Sequence, residues 1–579
     1  MNYFSVFRSV IGFVFVSVFI YGKQEPDPGF ADTRPNIILI MSDDMGYSDL
    51  GCYGGEISTP NLDALAAGGL RYTQFYNMAR CCPTRASLLT GLYPHKAGLG
   101  WMTAVDHGLP GYGGEINKNT VTIAEVLQDA GYSTWMTGKW HVAKDPKNEV
   151  EKYNWPIQRG FEKYYGIILG AANYFDPGIL CRDNTLITTF TDKGYKSENY
   201  YFTDAVSDNS VQYISQRDRK KPFFMYVAYT AAHWPMQAPE ETIKKYKGVY
   251  KNGWENIRSK RLEKMKQSGI INDSVQLPEW DSYSWEDEKN QPALARRMET
   301  YAAMVDIMDQ GIGRIVKKLK AEGIYENTII LYLQDNGGCA ELIGLGEDRP
   351  AANDTSGLRA LKYNEIQTTG RPLITRDGRI VRQGYNVMAG DADTYIAYGK
   401  QWAQVSNTPF RKYKHWVHEG GIATPLIIHW QKGIKEKNKF RTQPGHVIDI
   451  MPTVLELANA KYPNHFRENK ITPVSGISLV PGFSNKSLVR EALFWEHEMN
   501  RAVRMGKWKL VSSGELSDGI YGRWKFYNTG PWELYDMEND RNELNDLAGQ
   551  HPGIVKLMAD KWLMYANLSN VFPTPWRKL

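Results

Sequence analysis

Four continuous apolar runs stand out along the chain, and each stops at polar residues able to do chemistry. Pro35-Asn36 leads into IILIM and then Ser42-Asp43-Asp44. YSTWMT, residues 132–137, ends in Gly138-Lys139-Trp140-His141. Lys221-Pro222 leads into FFMYVAY, and His233 follows closely. TIILYL, residues 328–333, ends in Gln334-Asp335-Asn336-Gly337. Unbroken apolar runs without alternation predict strands buried on both faces, as in a parallel sheet. Helical signals lie between them. Thr59-Pro60 opens NLDALAAGG, Asn119-Thr120 opens VTIAEVLQDAG, and residues 305–323 and 446–458 carry amphipathic patterns. Strand and helix alternate, which predicts an α/β fold built on a large mixed, mostly parallel sheet. In such sheets sites form beyond the carboxyl ends of the strands. Four strands delivering Asp-Asp, Lys-x-His, His and Asp-Asn toward one edge is therefore the central feature.

The pattern changes after about residue 485. ALFWEHE, RAVRMGKWKLV and WELYDME predict short strands separated by turns, followed by a helix in GIVKLMADKWLMYANL. This divides the chain into 34–485 and a small α+β region, 486–579. Residues 340–402, rich in Gly, Asn, Asp and Arg, predict an insertion at the mouth of the site.

The chain has 579 residues, enough for more than one folded unit. Its net charge of +5 and lack of dense Lys/Arg runs give no case for nucleic-acid binding. Residues 1–22 combine Arg8, an apolar run from Val10 to Ile20 and Gly22. That arrangement predicts a signal peptide and a periplasmic or secreted protein. The run is well short of the ~20 residues a stable membrane span requires. The five cysteines, Cys52, Cys81, Cys82, Cys181 and Cys339, make no disulfide framework, and their odd number leaves at least one unpaired or modified.

Asp43, Asp44, Asp335 and Asn336 offer only oxygen donors, a set suited to a hard cation, Ca²⁺ or Mg²⁺. Each motif taken alone also fits a turn or a capping role. Cys81-Cys82-Pro83-Thr84-Arg85 precedes ASLLTG. Pro83 suits a first helical turn, which places Cys81 just ahead of a helix N-terminus, where an anion is favoured. Arg85, one turn in, can support a charged group there.

These residues resemble the formylglycine-dependent sulfatases of the alkaline phosphatase superfamily, whose signature is C-x-P-x-R followed by A-S-L-L-T-G. The resemblance extends through RPNIILIMSDDMGYSDLGCYG, TPNLDALAAGGLRYTQFY, TGKWH, LQDNGG and HEGGIATPLI into the C-terminal region. It implies an alkaline-phosphatase-like sheet sandwiched by helices, with a small C-terminal antiparallel domain. It implies that a separate maturating enzyme oxidises Cys81 to formylglycine, with Cys82 as the variable position. It implies Asp43, Asp44, Asp335, Asn336 and modified Cys81 around Ca²⁺, and Arg85 supporting the formylglycine. Lys139 and Lys414 would neutralise the sulfate, His141 would act as base and His233 as general acid. His418 departs from the family's K-x-x-x-Y-E-G-G, which has tyrosine there. The substrate implied is a sulfated carbohydrate, with His107, His497 and Asn500 as candidate contacts. The alternatives are a phosphate or phosphonate ester hydrolase of the same superfamily, or a non-catalytic sulfated-glycan binding protein.

Overall fold

The computed structural model describes residue 1 and residues 33–144, 152–344, 346, 348–350, 356–514 and 529–576. The predicted signal peptide lies outside the described residues apart from Met1.

All four apolar runs are strands: β1 (Asn36–Ser42), β3 (Ser133–Lys139), β7 (Phe223–Ala228) and β8 (Thr328–Gln334). With β2 (Leu70–Tyr76), β4 (Lys163–Ile167), β5 (Leu180–Arg182), β6 (Thr185–Leu186), β9 (Ala423–His429), β10 (Lys439–Arg441) and β11 (Gly445–His446) they make one sheet. Its order is β10-β2-β9-β8-β1-β7-β3-β4-β5-β6, with β11 also beside β2. The central strands β8, β1, β7, β3 and β4 are parallel. β9 runs against both its neighbours, so the sheet is mixed. Every residue of β3, β7 and β8 is buried, which requires cover on both faces and explains the absence of polar alternation.

Helices α1 (Pro60–Ala67), α2 (Cys81–Thr90), α3 (Ile123–Asp129), α4 (Phe202–Ser215), α5 (Gly253–Gln267) and α6 (Gln291–Ala321) follow in chain order. The helix expected to open at Asn119-Thr120 instead begins at Ile123. Thr122 is its N-cap: the Thr122 hydroxyl accepts the Glu125 N–H at 3.1 Å and Glu125 accepts the Thr122 N–H at 2.8 Å. The amphipathic stretch expected at 305–323 is the second half of α6, whose start at Gln291 is set by the Asn290 side chain and Pro292. The pattern at 446–458 divides into a single 3₁₀ turn, Val447–Asp449, and α7 (Ile450–Leu457).

The C-terminal region is a four-stranded antiparallel sheet, β12 (Leu493–His497), β13 (Asn500–Met505), β14 (Trp508–Ser512) and β15 (Glu533–Asp536), with helix α8 (Pro552–Leu568). RAVRMGKWKLV is thus two strands, turning at Gly506-Lys507, where Gly506 has φ 53°. This sheet abuts the edge of the large one: the Trp495 indole donates to Asn77 O at 2.8 Å and its ring meets Tyr76 edge-on. It also clamps the HEGG turn. Lys509 Nζ lies 3.0 Å from Glu419 Oε1 and 2.7 Å from Glu543 Oε1, and Arg541 Nε donates to Glu419 Oε2 at 3.0 Å.

Candidate active site

α2 is buried from end to end, with Cys81 as its first residue. The cysteine is therefore inside the first turn rather than ahead of it, as the proline spacing suggested. Its amide N–H and that of Cys82 have no acceptor within the helix, so their partial positive charge bears on the thiol. Of the two thiols, Cys81 is held well below the ordinary thiol range, by a hydrogen bond from Cys82 and then, against burial, by Lys139 and His141. Cys82 is pushed well up by burial and by Cys81. Cys82 is not a bystander, for its Sγ lies 3.2 Å from His141 Nε2.

Arg85 projects one turn further on and is fully buried. Its guanidinium donates to Asp335 Oδ2 at 3.0 Å, to the Lys139 carbonyl at 3.0 Å and to the Tyr226 hydroxyl at 3.4 Å. One side chain thereby ties α2 to the ends of β8 and β3 and to β7.

The strand ends converge as the sequence implied. Asp335 N donates to Ser42 O, and Asp44 N donates to Asp335 Oδ1 at 3.2 Å. Lys139 Nζ lies 2.5 Å from Asp43 Oδ2. Lys414 Nζ lies 2.7 Å from Asp44 Oδ1. His233 Nδ1 donates to the Trp234 carbonyl at 2.7 Å, and its Nε2 stands 3.5 Å from Asp44 Oδ2. The register between the DNGG and HEGG motifs depends on their glycines. Gly337 N donates to Gly421 O, and a Cβ on Gly337 would sit 1.9 Å from Gly420 O. Lys414 N then donates to Gly338 O, which fixes the lysine against the same strand end.

Three buried carboxylates in one place need compensation. Burial, and then Asp335, push the Asp43 carboxyl well above the ordinary range. Burial would lower Lys414, but Asp44 beside it raises it well above a normal lysine. Burial, with Lys139 and Lys414 next, holds the His233 imidazole well below its usual range. Asp43 Oδ1 and Asn336 Oδ1 are buried without a hydrogen-bond partner among the described residues. Two orphaned oxygens, framed by Asp44 and Asp335, fit a hard divalent cation. Donor atoms of Asp43, Asp44 and His233 also lie within 4.8 Å of one another.

A cavity of about 510 Å³ is lined by Cys81, His141, His233 and Lys414 among others. A larger one, about 1670 Å³, touches none of them. The two flank the same strap: Gln367 lines the larger, Thr369 to Arg371 the smaller. The predicted insertion therefore does reach the mouth of the site. His107, His497 and Asn500, expected as substrate contacts, do not line the cavity. His107 packs behind the Trp101 and Trp576 rings, at 5.2 and 5.4 Å. His497 is fully buried, its imidazole lowered to about 3 by burial, and Asn500 bonds His415 at 3.1 Å. Alternation along a strand turns these two inward, while the turn residue between them, Glu498, reaches the wall. Arg80, Trp101, Glu341, Arg371 and Trp576 also line the cavity and carried no recognisable motif in the sequence. His418, where tyrosine was expected, is buried 3.5 Å from Glu533 and outside the lining.

Comparison with known proteins agrees with this geometry. A family model described as sulfatase matches residues 35–460, and one described as N-sulphoglucosamine sulphohydrolase, C-terminal, matches 410–563. An uncharacterised sulfatase of Schizosaccharomyces pombe is 33% identical, covering 94% of this chain and 95% of its own. An arylsulfatase of Klebsiella aerogenes is 33% identical over 77% of this chain and 91% of its own. A solved structure of a protein in complex with its substrate D-glucosamine-2-N,6-O-disulfate shares the fold. Its TM-score is 0.60 at 22% identity, covering 94% of this chain and all of that one. The chain belongs to the sulfatase family of the alkaline-phosphatase-like superfamily and is a sulfuric ester hydrolase.

Proposed function

We propose that this protein is an exported sulfatase acting on sulfated carbohydrate, with Cys81, converted to formylglycine, as nucleophile and Ca²⁺, or Mg²⁺ in its place, as cofactor. The observation that carries this is the convergence of Cys81, His141, His233 and Lys414 on one cavity, with Lys139 and Lys414 paired to Asp43 and Asp44 and two buried oxygens, Asp43 Oδ1 and Asn336 Oδ1, left without a hydrogen-bond partner among the described residues. Asp43, Asp44, Asp335, Asn336 and the modified side chain at position 81 would hold the cation, which supplies fixed positive charge against a sulfate oxygen. Formylglycine in its hydrated form supplies two hydroxyls on one carbon, one to displace the alcohol and one to release the sulfate.

The remaining work falls to ordinary side chains. A sulfate ester resists attack because its oxygens repel a nucleophile, so Lys139 and Lys414 supply the countercharge. The Trp234 carbonyl fixes the His233 Nδ1–H and leaves Nε2 as the nitrogen that exchanges a proton in the site. Without substrate, burial and the two lysines keep that imidazole neutral. A bound anionic ester reverses part of that balance, so His233 takes up the proton it then gives to the leaving alcohol. His141, beside both cysteines, is placed to remove a proton at position 81. Arg85 orients the helix that carries the nucleophile.

Cys81 is 1% exposed, so a maturating enzyme would meet it before the chain folds. Export to the periplasm or beyond rests on the sequence of residues 1–22. No helix among the described residues is long and apolar enough to cross a membrane. We assign 34–485 as the catalytic domain and 486–579 as the smaller one. Carbohydrate as the substrate class is supported by the polar and aromatic cavity wall, which combines Trp101 and Trp576 with Arg80, Glu341, Arg371 and Glu498.

Paired 4-nitrophenyl sulfate and 4-nitrophenyl phosphate test the reaction class. A kcat/KM ratio of about tenfold or more for the sulfate is expected, because two lysines and one cation supply less charge than a phosphate dianion demands. Preference for the phosphate would overturn the reading.

A further inference from the structure

Glu498 is the one carboxylate of the cavity wall placed there by a strained turn. β12 and β13 pair to their ends, His497 opposite Asn500, so Glu498 and Met499 alone form the connection. Both are left-handed, with φ 48° and 68°. A two-residue turn of this kind favours Asn-Gly, and two long side chains there carry strain that the surroundings must hold.

What holds it is the Glu498 side chain itself. Its Oε1 accepts the Trp101 indole N–H at 2.6 Å, and its Oε2 is paired with His415 Nδ1. Asn500 decides the histidine's tautomer. Its Oδ1 accepts the Gly514 N–H at 3.0 Å, so its amide nitrogen is the atom facing His415 Nε2 at 3.1 Å. Nε2 is therefore an acceptor, and the imidazole hydrogen sits on Nδ1, aimed at Glu498. Although donor atoms of His415, His497 and Glu498 lie within 4.8 Å of one another, that tautomer leaves Nδ1 no lone pair for a metal. The group is a hydrogen-bond relay that fixes a carboxylate. His415 itself is held at φ 90° directly after Lys414.

Each carboxylate oxygen accepts two hydrogen bonds, and each here spends one on the protein. The side chain is only 7% exposed and lines the catalytic cavity, so the remaining capacity meets a ligand rather than bulk water. We propose that Glu498 is a specificity-determining residue: it accepts a hydrogen bond from a hydroxyl neighbouring the scissile sulfate and repels alcohols carrying an anion at that position. The substrate class is then a partly sulfated vicinal diol, the arrangement of a sugar ring bearing a single sulfate on that face. This rests on the proposal above that the ester is cleaved at Cys81.

Three aryl sulfates isolate the contact: phenyl sulfate, catechol monosulfate, which adds a neighbouring hydroxyl, and 2-carboxyphenyl sulfate, which adds an anion. In Glu498→Gln the kcat/KM ratio of catechol monosulfate to phenyl sulfate should fall about tenfold or more, and that of 2-carboxyphenyl sulfate to phenyl sulfate should rise. Should Glu498→Gln not fold, Trp101→Phe, which withdraws one of the two donors orienting the carboxylate, must lower the first ratio. Ratios unchanged within about twofold, or equal loss on all three esters up to complete inactivity, overturn the proposal. Failure of the nucleophile assignment has a different signature: Cys81→Ala would retain phenyl sulfate hydrolysis, whatever the ratios.

Discussion

The Arg85 guanidinium lies 3.0 Å from Asp335 Oδ2, and both side chains are fully buried. This pair joins the helix bearing Cys81 to the strand end bearing Asp335 and Asn336, two of the oxygen donors proposed for the cation. Removing the arginine strands Asp335 and Asp43 without it, the expensive way to break a buried ion pair. Arg85→Ala should cost about 3–5 kcal/mol of stability in urea unfolding. Arg85→Lys should restore part of it but not turnover, because one ammonium cannot reach Asp335, the Lys139 carbonyl and Tyr226 together. Full activity in the lysine variant would contradict this role.

Cation binding should depend on pH in a definite direction. Burial and Asp335 raise the Asp43 carboxyl in the folded protein. The folded state then holds a proton that the unfolded chain releases, so this group's contribution is full at low pH. It is lost as pH rises from the ordinary carboxylate value through the raised one. A divalent cation bound as proposed would take the proton's place. Added Ca²⁺ should therefore raise Tm more at about pH 8 than at about pH 5, relative to a chelator-treated sample. An equal gain at both would count against Asp43 as a ligand.

His233 carries its expected role in its leaving-group dependence. His233→Ala should reduce kcat about 10²–10⁴-fold for alkyl sulfates and much less for activated aryl sulfates. A plot of log kcat against leaving-group pKa should steepen accordingly. A uniform loss across leaving groups would show that His233 binds the ester without protonating the alcohol.

The small sheet also holds the HEGG turn through Lys509, which pairs with both Glu419 and Glu543 in full burial. Lys509→Met would leave Glu419 to Arg541 and the Tyr76 hydroxyl, and Glu543 without its buried cation, held by the Glu419 N–H. A loss of about 3–5 kcal/mol in urea unfolding is expected. Loss below about 1 kcal/mol would show that the HEGG turn stands without the C-terminal sheet.

The site's chemistry was legible in the sequence because it sits at the ends of apolar runs. Burial on both faces erases alternation, so IILIM, FFMYVAY and TIILYL announce a parallel sheet, and the residues after each must lie at its edge. The cavity wall was not legible for the converse reason. Arg80, Glu341, Arg371 and Trp576 come from loops and the C-terminal tail, where no periodicity marks which side chain points inward. His497 and Asn500 were one and two residues away from Glu498, but only the pairing of His497 with Asn500 reveals a two-residue turn and which side chain it projects. The N-termini of α3 and α6 were misplaced because side-chain caps, Thr122 with Glu125 and Asn290, settle helix starts that hydrophobic pattern leaves open.

Mass spectrometry of the tryptic peptide 81–85 from active protein made in its native host bears most directly on the nucleophile. Conversion of the Cys81 thiol to an aldehyde lowers the mass by about 18 Da and makes the peptide reactive toward hydrazides. Active protein should carry that loss at Cys81, with Cys82 intact. Fully active protein whose Cys81 remains a thiol would contradict it.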